Sequence, residues 1–371
     1  MNIKLLLSIV LSTLQHHAFS QHFSPNNLIL LRHNIGGSGG TKDPNNNGPK
    51  GMAIYLDEYD FSHPETPKFI QSFQLPSKAQ KNMGAITLSG ISDLENYMTR
   101  SSNKRFLVIP GYGVSEGINV YRQPSVNVPR TVALIDASKN INLTTFIKNA
   151  FSSVSFRSAA AISGSEIWYS GETISGYSSG PYYSKLGAEK AINIGANIPG
   201  SRSIRFFDNK LYVSLKGGIS QIGHSIPVNN DTLSTISLNH LHPDDSPKDA
   251  FDFFIADVAP QRPGTKKVMY VMDNANGVRK YSFNGSLWIA NGTINVPNSK
   301  AVEGKVEANG DVTLYIVSHT ANPLNGDSKI FMVVDNSGFM RPINGEPKLL
   351  LNTSGSNKQY RSIAFSPITN L

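Results

Sequence analysis

Apolar and polar residues alternate with a period of two in short runs along this chain, and a pair of such runs repeats. The run from Arg157 to Ile162 is followed by a second run from Glu166 to Ser170. The same pair recurs as Arg202 to Phe207 and Lys210 to Ser214. A period of two is typical of β-strands. Each pair of runs therefore predicts a β-hairpin.

Weaker copies of this hairpin continue towards the C-terminus. One runs from Glu303 to Ser318, and a half copy from Arg361 to Phe365 comes just before the last residues. Arg157 and Arg202 are 45 residues apart, and similar steps lead to Asp252, Glu303 and Arg361. Steps of roughly 40 to 50 residues suit four-stranded propeller blades. Helical solenoids are not favoured, because apolar positions with a 3.6-residue period are scarce. The repeat thus predicts an all-β fold of the β-propeller class.

The half copy also predicts how the propeller closes. A second strand for this hairpin would fall beyond Leu371, so its partner must come from elsewhere in the chain. The apolar run from Asn27 to Arg32 has no partner of its own, and pairing the two ends would remove two exposed sheet edges. Around two dozen strand-like runs then predict one closed ring, with seven blades as the first prediction and six as the alternative.

The composition fits a chain of many short strands and turns. Of 371 residues, 39% are hydrophobic and 16% are charged, and the chain holds 31 glycines and 21 prolines. Dipeptides such as Asp208-Asn209 and Asn276-Gly277 mark hairpin turns between the runs. A propeller of this length is one domain, so residues 21–371 are predicted to form a single domain.

The N-terminus has the pattern of a secretory signal peptide over residues 1–20. Lys4 precedes an apolar stretch from Leu5 to Leu14, and small residues lead to a cleavage site near Ser20 and Gln21. The stretch is shorter than the roughly 20 residues of a spanning helix. We therefore expect a secreted or periplasmic protein that does not span the membrane. It has no cysteine, so its core must be stable without disulfides.

Two segments match the G-x-S-x-G pattern of a catalytic serine, at Ser115 and Ser178. That motif requires a strand before the serine and a helix after it. Ser115 follows a strand-like run but precedes another such run, and no helix is predicted after Ser178. No catalytic residue is therefore assigned, and substitution of either serine is expected to leave the function intact.

One cluster carries residue types that bind metals, namely His240, His242 and Asp244. On an extended strand the two histidines would face the same side and could share a Zn²⁺ or Mn²⁺ ion with a carboxylate. Pro243 and Pro247 favour a loop instead, and no third ligand lies nearby in the sequence. These residues are weak metal candidates, and no cofactor is predicted.

The chain is basic, with a formal net charge of +8 and a pI near 9.4. No run of basic residues is interleaved with aromatic residues, so the sequence does not favour nucleic-acid binding. Scattered lysines usually serve solubility. A functional alternative is attraction to an acidic glycan or to another anionic surface.

The residues that open the first strand of each repeat are the predicted binding residues. They would converge at the mouth of the central channel, because first strands line that channel. The set consists of Arg157, Arg202, Asp252, Glu303 and Arg361. Two alternatives stay open: an ion-pair ring that plugs the channel, or at least one unpaired arginine that binds a carboxylate or sulfate.

Several segments, in order along the chain, resemble a family of uncharacterised exported bacterial proteins with a propeller-like fold. The segments run from Met83 to Gly90, Arg100 to Tyr112, Asp252 to Asp257, Val268 to Asp273, Gly277 to Tyr281 with Trp288, and Tyr360 to Phe365. The chain departs from the family pattern at Ser92 to Asn96 and at Ser362. The resemblance implies the fold and export but no activity. Some members carry C-terminal anchoring domains, and we expect this chain to be freely secreted.

Two classes of function follow from these expectations. The first is a secreted, non-catalytic binding or scaffold protein that engages a glycan, a peptide or an envelope component. The second is an extracellular hydrolase or lyase that acts on a polysaccharide or an ester at the channel mouth. The absence of a complete catalytic motif in the sequence favours the first.

Overall fold

The computed structural model describes most of the chain after residue 21. The described residues are 22–34, 49–81, 83–173, 180–195, 198, 200–229, 235–237, 246–259, 261, 262, 264–320 and 327–369. Several sequence predictions fall outside these ranges. They concern the signal peptide at 1–20, the Ser178 motif, and the metal candidates His240, His242 and Asp244.

Six antiparallel sheets of four strands form the blades of a β-propeller. Blade 1 contains β26 (Lys358–Phe365), β1 (Leu28–Asn34), β3 (Tyr55–Asp60) and β4 (Lys68–Gln74). Blade 2 contains β6 (Thr99–Arg100), β7 (Phe106–Tyr112), β8 (Arg130–Asp136) and β9 (Ile141–Ile147). Blade 3 contains β10 (Phe156–Ala160), β11 (Glu166–Gly171), β12 (Tyr182–Lys185) and β13 (Ile192–Asn193).

The remaining three blades repeat this order. Blade 4 contains β14 (Ile204–Phe207), β15 (Lys210–Leu215), β16 (Gly218–Ile222) and β17 (Thr235–Ser237). Blade 5 contains β18 (Ala250–Asp257), β19 (Lys267–Asp273), β20 (Gly277–Phe283) and β21 (Trp288–Ile294). Blade 6 contains β22 (Ser299–Val306), β23 (Val312–His319), β24 (Ser328–Asp335) and β25 (Lys348–Asn352).

The prediction of seven blades is wrong, and the alternative of six is correct. Six blades of four strands contain 24 strands, which matches the roughly two dozen strand-like runs of the sequence, so the number of runs points to six blades rather than seven. Two short strands lie outside the blades: β2 (Gly51–Met52) and β5 (Leu88–Ser89) form a separate two-stranded sheet. Val120, also outside the blade strands, packs in a small apolar cluster with Tyr112 and Val128.

The two ends of the chain meet in blade 1. β1 pairs antiparallel with β26, so that Leu28 lies opposite Phe365 and Leu30 lies opposite Ile363. These four side chains belong to the core cluster that joins blades 1, 5 and 6. The sheet order places β26 as the first strand of this blade and β1 as the second.

The repeated hairpin of the sequence is the first hairpin of a blade. β10 pairs with β11, and β14 pairs with β15. Between the latter strands, Asp208 and Asn209 have φ angles of 51° and 55°. Positive φ at both central residues is the conformation of the two-residue turn that suits the twist of a hairpin. The described residues contain no helix, and hence none that could cross a membrane.

Candidate functional site

A β-bulge recurs in the first strands and determines where the basic residue of the repeat lies. Arg157 in β10, Lys300 in β22 and Arg361 in β26 are each the extra residue of such a bulge. In blade 4 the Arg202 amide donates to the Ser214 carbonyl, while the Ser214 amide donates to Ser203, which is the same two-to-one pairing. A bulge turns a side chain out of the regular alternation.

The bulges show that one predicted equivalence is shifted. The residue of blade 6 that corresponds to Arg361 is Lys300, three positions before Glu303. In blade 5 the bulge covers Phe251 and Asp252, between the paired residues Ala250 and Phe253. We call Arg157, Arg202, Phe251, Lys300 and Arg361 the bulge cluster.

The serine that follows the arginine in the repeat has a structural role. Ser158 Oγ donates to the Tyr97 carbonyl of blade 2 at 3.0 Å. Ser362 Oγ accepts a hydrogen bond from the Met98 amide at 3.0 Å. Both serines are fully buried, so these bonds join the first strands of neighbouring blades where water cannot replace them. The Arg-Ser repeat therefore combines a bulge with a link between blades.

Three cations of the bulge cluster have carboxylate partners. Arg202 Nη2 lies 2.7 Å from Asp249, and Lys300 Nζ lies 3.5 Å from Asp93. Arg157 Nη2 lies 3.8 Å from Glu172. None of the three arginines of the cluster forms an ion pair with Asp252 or Glu303 in the described part of the chain. The predicted ring of these five residues is thus absent in that form, and other acidic residues take part.

Phe251 provides an aromatic surface within the bulge cluster. The Arg202 guanidinium carbon lies 4.1 Å from the centroid of its ring, and Lys300 Nζ lies 3.8 Å from the same centroid. Desolvated cations are attracted to an aromatic face by about 2 kcal/mol. Burial lowers the pKa of Lys300, and Asp93 and Asp249 counteract this effect.

Arg361 differs from the other members because its terminal nitrogens have no partner. Its Nε donates to His33 Nε2 at 3.1 Å, whereas Nη1 and Nη2 have no hydrogen bond to any described residue. The residue is 2% exposed. Burial lowers the pKa of Arg361 to about 10, opposed by Asp93 and Glu95, so the guanidinium is charged at neutral pH.

Two buried histidines flank Arg361 from equivalent strands. Nδ1 of His33 in β1 lies 3.3 Å from the Asn34 carbonyl, and Nδ1 of His319 in β23 lies 3.0 Å from the Thr320 carbonyl. Nε2 of His33 lies 2.9 Å from Gln359 Oε1 as well as 3.1 Å from Arg361 Nε. The bond from Arg361 requires this Nε2 to be unprotonated, and the Gln359 amide would then face it with its nitrogen, which has no other partner among the described residues. Burial, together with the smaller effect of Arg361, lowers the pKa of His33 to about 3. Burial and Arg361 also hold the pKa of His319 well below its usual range.

A second charged group lies further along the first strands and is centred on Arg205. Its guanidinium donates to both carboxylate oxygens of Asp252, at 3.0 and 2.9 Å, and to the Val302 carbonyl at 2.8 Å. Asp252 also accepts from the Val302 amide at 3.0 Å. Arg205 Nη1 lies 3.7 Å from Glu303. The network joins blades 4, 5 and 6, and its central arginine was not among the predicted residues.

Beyond this network, the C-terminal ends of the first strands surround two adjoining cavities of about 160 and 850 Å³. We call the pair the exit cleft. Both cavities are lined by the same central residues, namely Arg100, Lys104, Phe254, Ile255 and Glu303. The larger volume lies within the range of about 300–1,000 Å³ that is usual for ligand sites.

Two cations of the exit cleft have no acidic partner. Arg100 donates to the Ser366 carbonyl at 3.2 Å and lies 5.4 Å from the Phe365 ring, but no described carboxylate lies within 4 Å of it. Lys104 is exposed and likewise has no carboxylate that close among the described residues. Burial lowers the pKa of Arg100, and Glu303 raises it. The remaining charged residues of the cleft are Asp60, Arg205, Glu303 and Lys305.

Aromatic side chains form one wall of the exit cleft. Phe61 stacks on Tyr315 with ring centroids 6.0 Å apart, and Tyr315 meets Phe365 edge-on at 6.0 Å. The ring of Phe254 packs against Gly304, where an added Cβ would lie 2.6 Å from the ring. Glycine is therefore required for the present position of Phe254. The wall is held by packing before any ligand binds.

A smaller cavity of about 170 Å³ lies near the N-terminal ends of the first strands and contains two carboxylates. Glu95 accepts from the Tyr112 hydroxyl at 2.8 Å, and burial raises the pKa of Glu95. Glu172 is more exposed and accepts from the Ser155 amide at 3.3 Å. Arg157 also lines this cavity.

The remaining sequence candidates do not form a catalytic or metal site in the described residues. Ser115 Oγ accepts from the Ala79 amide, and a turn rather than a helix follows it. The described ranges contain no group of three or more His, Cys, Asp or Glu side chains that could hold a metal ion.

Comparisons with known proteins show no family for this chain. No family model and no curated protein matches the chain. A structure described as the nidogen/laminin complex matches with a TM-score of 0.47 and 9% identity, over 93% of this chain and 100% of that chain. The hemagglutinin-neuraminidase ectodomain of parainfluenza virus 5 matches with a TM-score of 0.39 and 7% identity, over 82% and 76%. Neither likeness carries a function to this chain, and the resemblance to an exported bacterial family stays a prediction.

Proposed function

We propose that this protein is a secreted, non-catalytic propeller that binds an acidic polymer, such as an acidic glycan, in the exit cleft. The observation that carries the proposal is the pair Arg100 and Lys104. Both cations line a cavity of about 850 Å³, and neither has a described carboxylate within 4 Å. A ligand that supplies carboxylate or sulfate groups would form ion pairs with both side chains and neutralise their charge.

The balance of charge favours an acidic ligand over a basic one. Four cationic side chains line the exit cleft, of which Arg205 is paired with Asp252 and Lys305 with Glu307, so that Arg100 and Lys104 carry its unpaired positive charge. The carboxylates that line the cleft are Asp60 and Glu303. Glu303 is 6% exposed and faces Arg205, so it presents little charge to a ligand. An excess of positive charge in a cleft attracts anions and repels cations. The net charge of +8 acts in the same direction.

The aromatic wall favours a ligand with apolar faces as well as acidic groups. Phe254 is partly exposed beside the cations, and the buried rings of Tyr315 and Phe365 line the same cleft. Rings that are fixed by packing offer contact area without a large loss of side-chain entropy on binding. Sugar rings that carry carboxylates combine both properties, and a chain of them would extend across the two adjoining cavities.

Binding to a defined panel of polymers tests this proposal. Calorimetry should detect binding of the mature protein to polygalacturonate and alginate, which carry carboxylates, and to dextran sulfate, and no binding to neutral dextran. Affinity should fall as salt is added, because the contacts are charged. Equal affinity for dextran and dextran sulfate would contradict the proposal, and so would affinity that is independent of salt.

Export and closure of the ring belong to the same proposal. The signal peptide over residues 1–20 predicts that the exported product begins at Gln21. N-terminal sequencing of protein from the medium or periplasm would test this, and an uncut or cytoplasmic product would contradict it. We also propose that the pairing of β1 with β26 closes the ring in a single domain over residues 21–371, which would protect both termini from proteolysis.

A hydrolase is the second candidate, and the cavity with Glu95 and Glu172 is the observation that favours it. A carboxyl whose pKa is raised, next to a more exposed carboxylate, is the arrangement of a general acid and its partner. Glu95→Gln would then abolish release of reducing ends from the same polymers, with unchanged folding. Release of reducing ends that persists in this variant, or that wild-type protein never shows, would exclude these two residues as the catalytic pair.

A further inference from the structure

The guanidinium of Arg361 is a buried positive charge whose terminal nitrogens have no partner among the described residues. Arginine carries five N–H donors, of which His33 receives the one on Nε. The four N–H groups on Nη1 and Nη2 therefore have no acceptor there. A buried cation without partners costs several kcal/mol, so a site of this kind normally has a counter-ion.

The surrounding carboxylates do not fill that role. Asp93 is the partner of Lys300, and Asp249 is the partner of Arg202. Glu95 influences Arg361 from more than 4 Å away, and its Oε1 accepts from Tyr112. Burial raises the pKa of Glu95, and its Oε2 has no hydrogen-bond partner among the described residues, so this carboxylate does not contact Arg361 either.

The other neighbours of Arg361 cannot supply negative charge either. His33 and His319 are neutral, and both have lowered pKa values. Tyr97 is 1% exposed, burial raises its pKa, and its hydroxyl has no hydrogen-bond partner among the described residues. Arg361 is therefore the one cation of the bulge cluster that has no carboxylate within 4 Å among the described residues, and Tyr97 offers a free hydroxyl near it.

We propose that Arg361 binds a small monovalent anion, a halide or a formate-sized carboxylate, inside the propeller on Nη1 and Nη2. The negative charge of the ligand follows from the guanidinium nitrogens that it would contact. Its small size follows from burial, because Arg361 is 2% exposed and a sugar acid would not fit without moving the first strands. This site is separate from the exit cleft. The two proposals share no ligand and no side chain.

The test compares the melting temperature of the mature protein in potassium gluconate with that in potassium bromide, chloride or formate at equal ionic strength of about 0.15 M. Gluconate is too large for the site. Wild type should gain about 2 °C for each tenfold increase in the concentration of the small anion above its Kd. Arg361→Gln should show no such gain, and Arg100→Gln/Lys104→Gln should retain it. A gain with the halides but not with formate would restrict the site to halides.

Crystals soaked in bromide give an independent readout that does not depend on the folding of any variant. An anomalous peak within hydrogen-bond distance of Nη1 and Nη2 is expected. The proposal is overturned if water alone occupies this position at high bromide concentration. It is also overturned if wild type and Arg361→Gln respond equally to small anions, or if wild type does not respond. Because exit-cleft variants keep the response, failure here would leave the polymer-binding proposal standing.

Discussion

Arg361 Nε donates a hydrogen bond to His33 Nε2 at 3.1 Å, and this bond requires a neutral imidazole. The two residues lie on strands that are adjacent in space but 328 positions apart in the chain. Protonation of His33 would replace the acceptor by a donor that faces a guanidinium. The pair therefore couples the junction of the chain ends to pH.

This coupling predicts a loss of stability in mild acid. The pKa of His33 is lowered to about 3 in the folded state, and that of His319 is also lowered, so the unfolded chain binds protons more readily than the folded protein. Their contribution is fully present above pH 6.5 and is lost as the pH falls towards 3. Between pH 7 and 5.5 the free energy of unfolding should fall by about 1 kcal/mol for each histidine.

Urea denaturation of wild type and His319→Gln at the two pH values measures this effect. Between the two pH values, the free energy of unfolding should fall less in the variant than in wild type. The difference should be the contribution of one histidine, about 1 kcal/mol. Glu95 acts in the opposite direction, because its raised pKa favours proton uptake by the folded state, but it is the same in both proteins. His63→Gln, at an exposed position, is the matched control. An identical loss in wild type and His319→Gln would show that buried histidine is not the cause.

The Arg205 network predicts that a substitution at Asp252 which preserves its shape will greatly reduce the free energy of unfolding. Asp252→Asn keeps the shape of the side chain but removes the charge that two guanidinium nitrogens contact. Loss of one partner of a buried ion pair costs about 3–5 kcal/mol, because the other charge stays buried. The free energy of unfolding in urea should fall by about that amount.

The exposed pair of Asp208 and Lys267 provides the control for this experiment. These side chains are 2.6 Å apart, but Asp208 is 54% exposed. Asp208→Asn should change stability by less than about 1 kcal/mol. A similar small effect of Asp252→Asn would mean that the network does not join blades 4, 5 and 6 in solution.

Replacing the buried serine of the repeat should destabilise the protein more than replacing a surface serine. Ser362→Ala leaves the Met98 amide without its acceptor in a fully buried position. An unsatisfied buried donor costs about 1–3 kcal/mol. Ser286, which is exposed in the turn between β20 and β21, is the comparison. If Ser362→Ala and Ser286→Ala have equal unfolding midpoints in urea, the serine does not link the blades.

Much of the fold follows from the sequence because its signals are local. The alternation in Arg202 to Phe207 and in Lys210 to Ser214, with Asp208-Asn209 between them, specifies a hairpin without any other information. The half copy at Arg361 to Phe365 pointed to a pairing with the N-terminal strand, and β1 pairs with β26. The first prediction of seven blades was wrong, although the roughly two dozen strand-like runs correspond to the 24 strands of six blades.

The site followed less well from the sequence, because bulges shift the register. Glu303 seemed equivalent to the arginines, but Lys300 occupies that position, and only the strand pairing shows which residue is extra. Arg205 was hidden between Ile204 and Phe206 as an ordinary polar position of a strand. In the sequence, Arg100 and Lys104 lie in a polar segment that indicates only that a strand follows. Their isolation from carboxylates depends on the arrangement of all six blades.

The affinity of Arg100→Gln/Lys104→Gln for polygalacturonate tests the central proposal most directly. Both substitutions keep hydrogen-bonding capacity but remove the charges of the exit cleft. A charge-matched control, Lys329→Gln/Lys358→Gln, removes two exposed lysines on other strands. Loss of the two charges should raise Kd at least about tenfold, or about 1.4 kcal/mol, in the cleft variant. The control should change Kd by less than about twofold. Equal Kd values for the two double variants would show that the exit cleft does not bind the polymer.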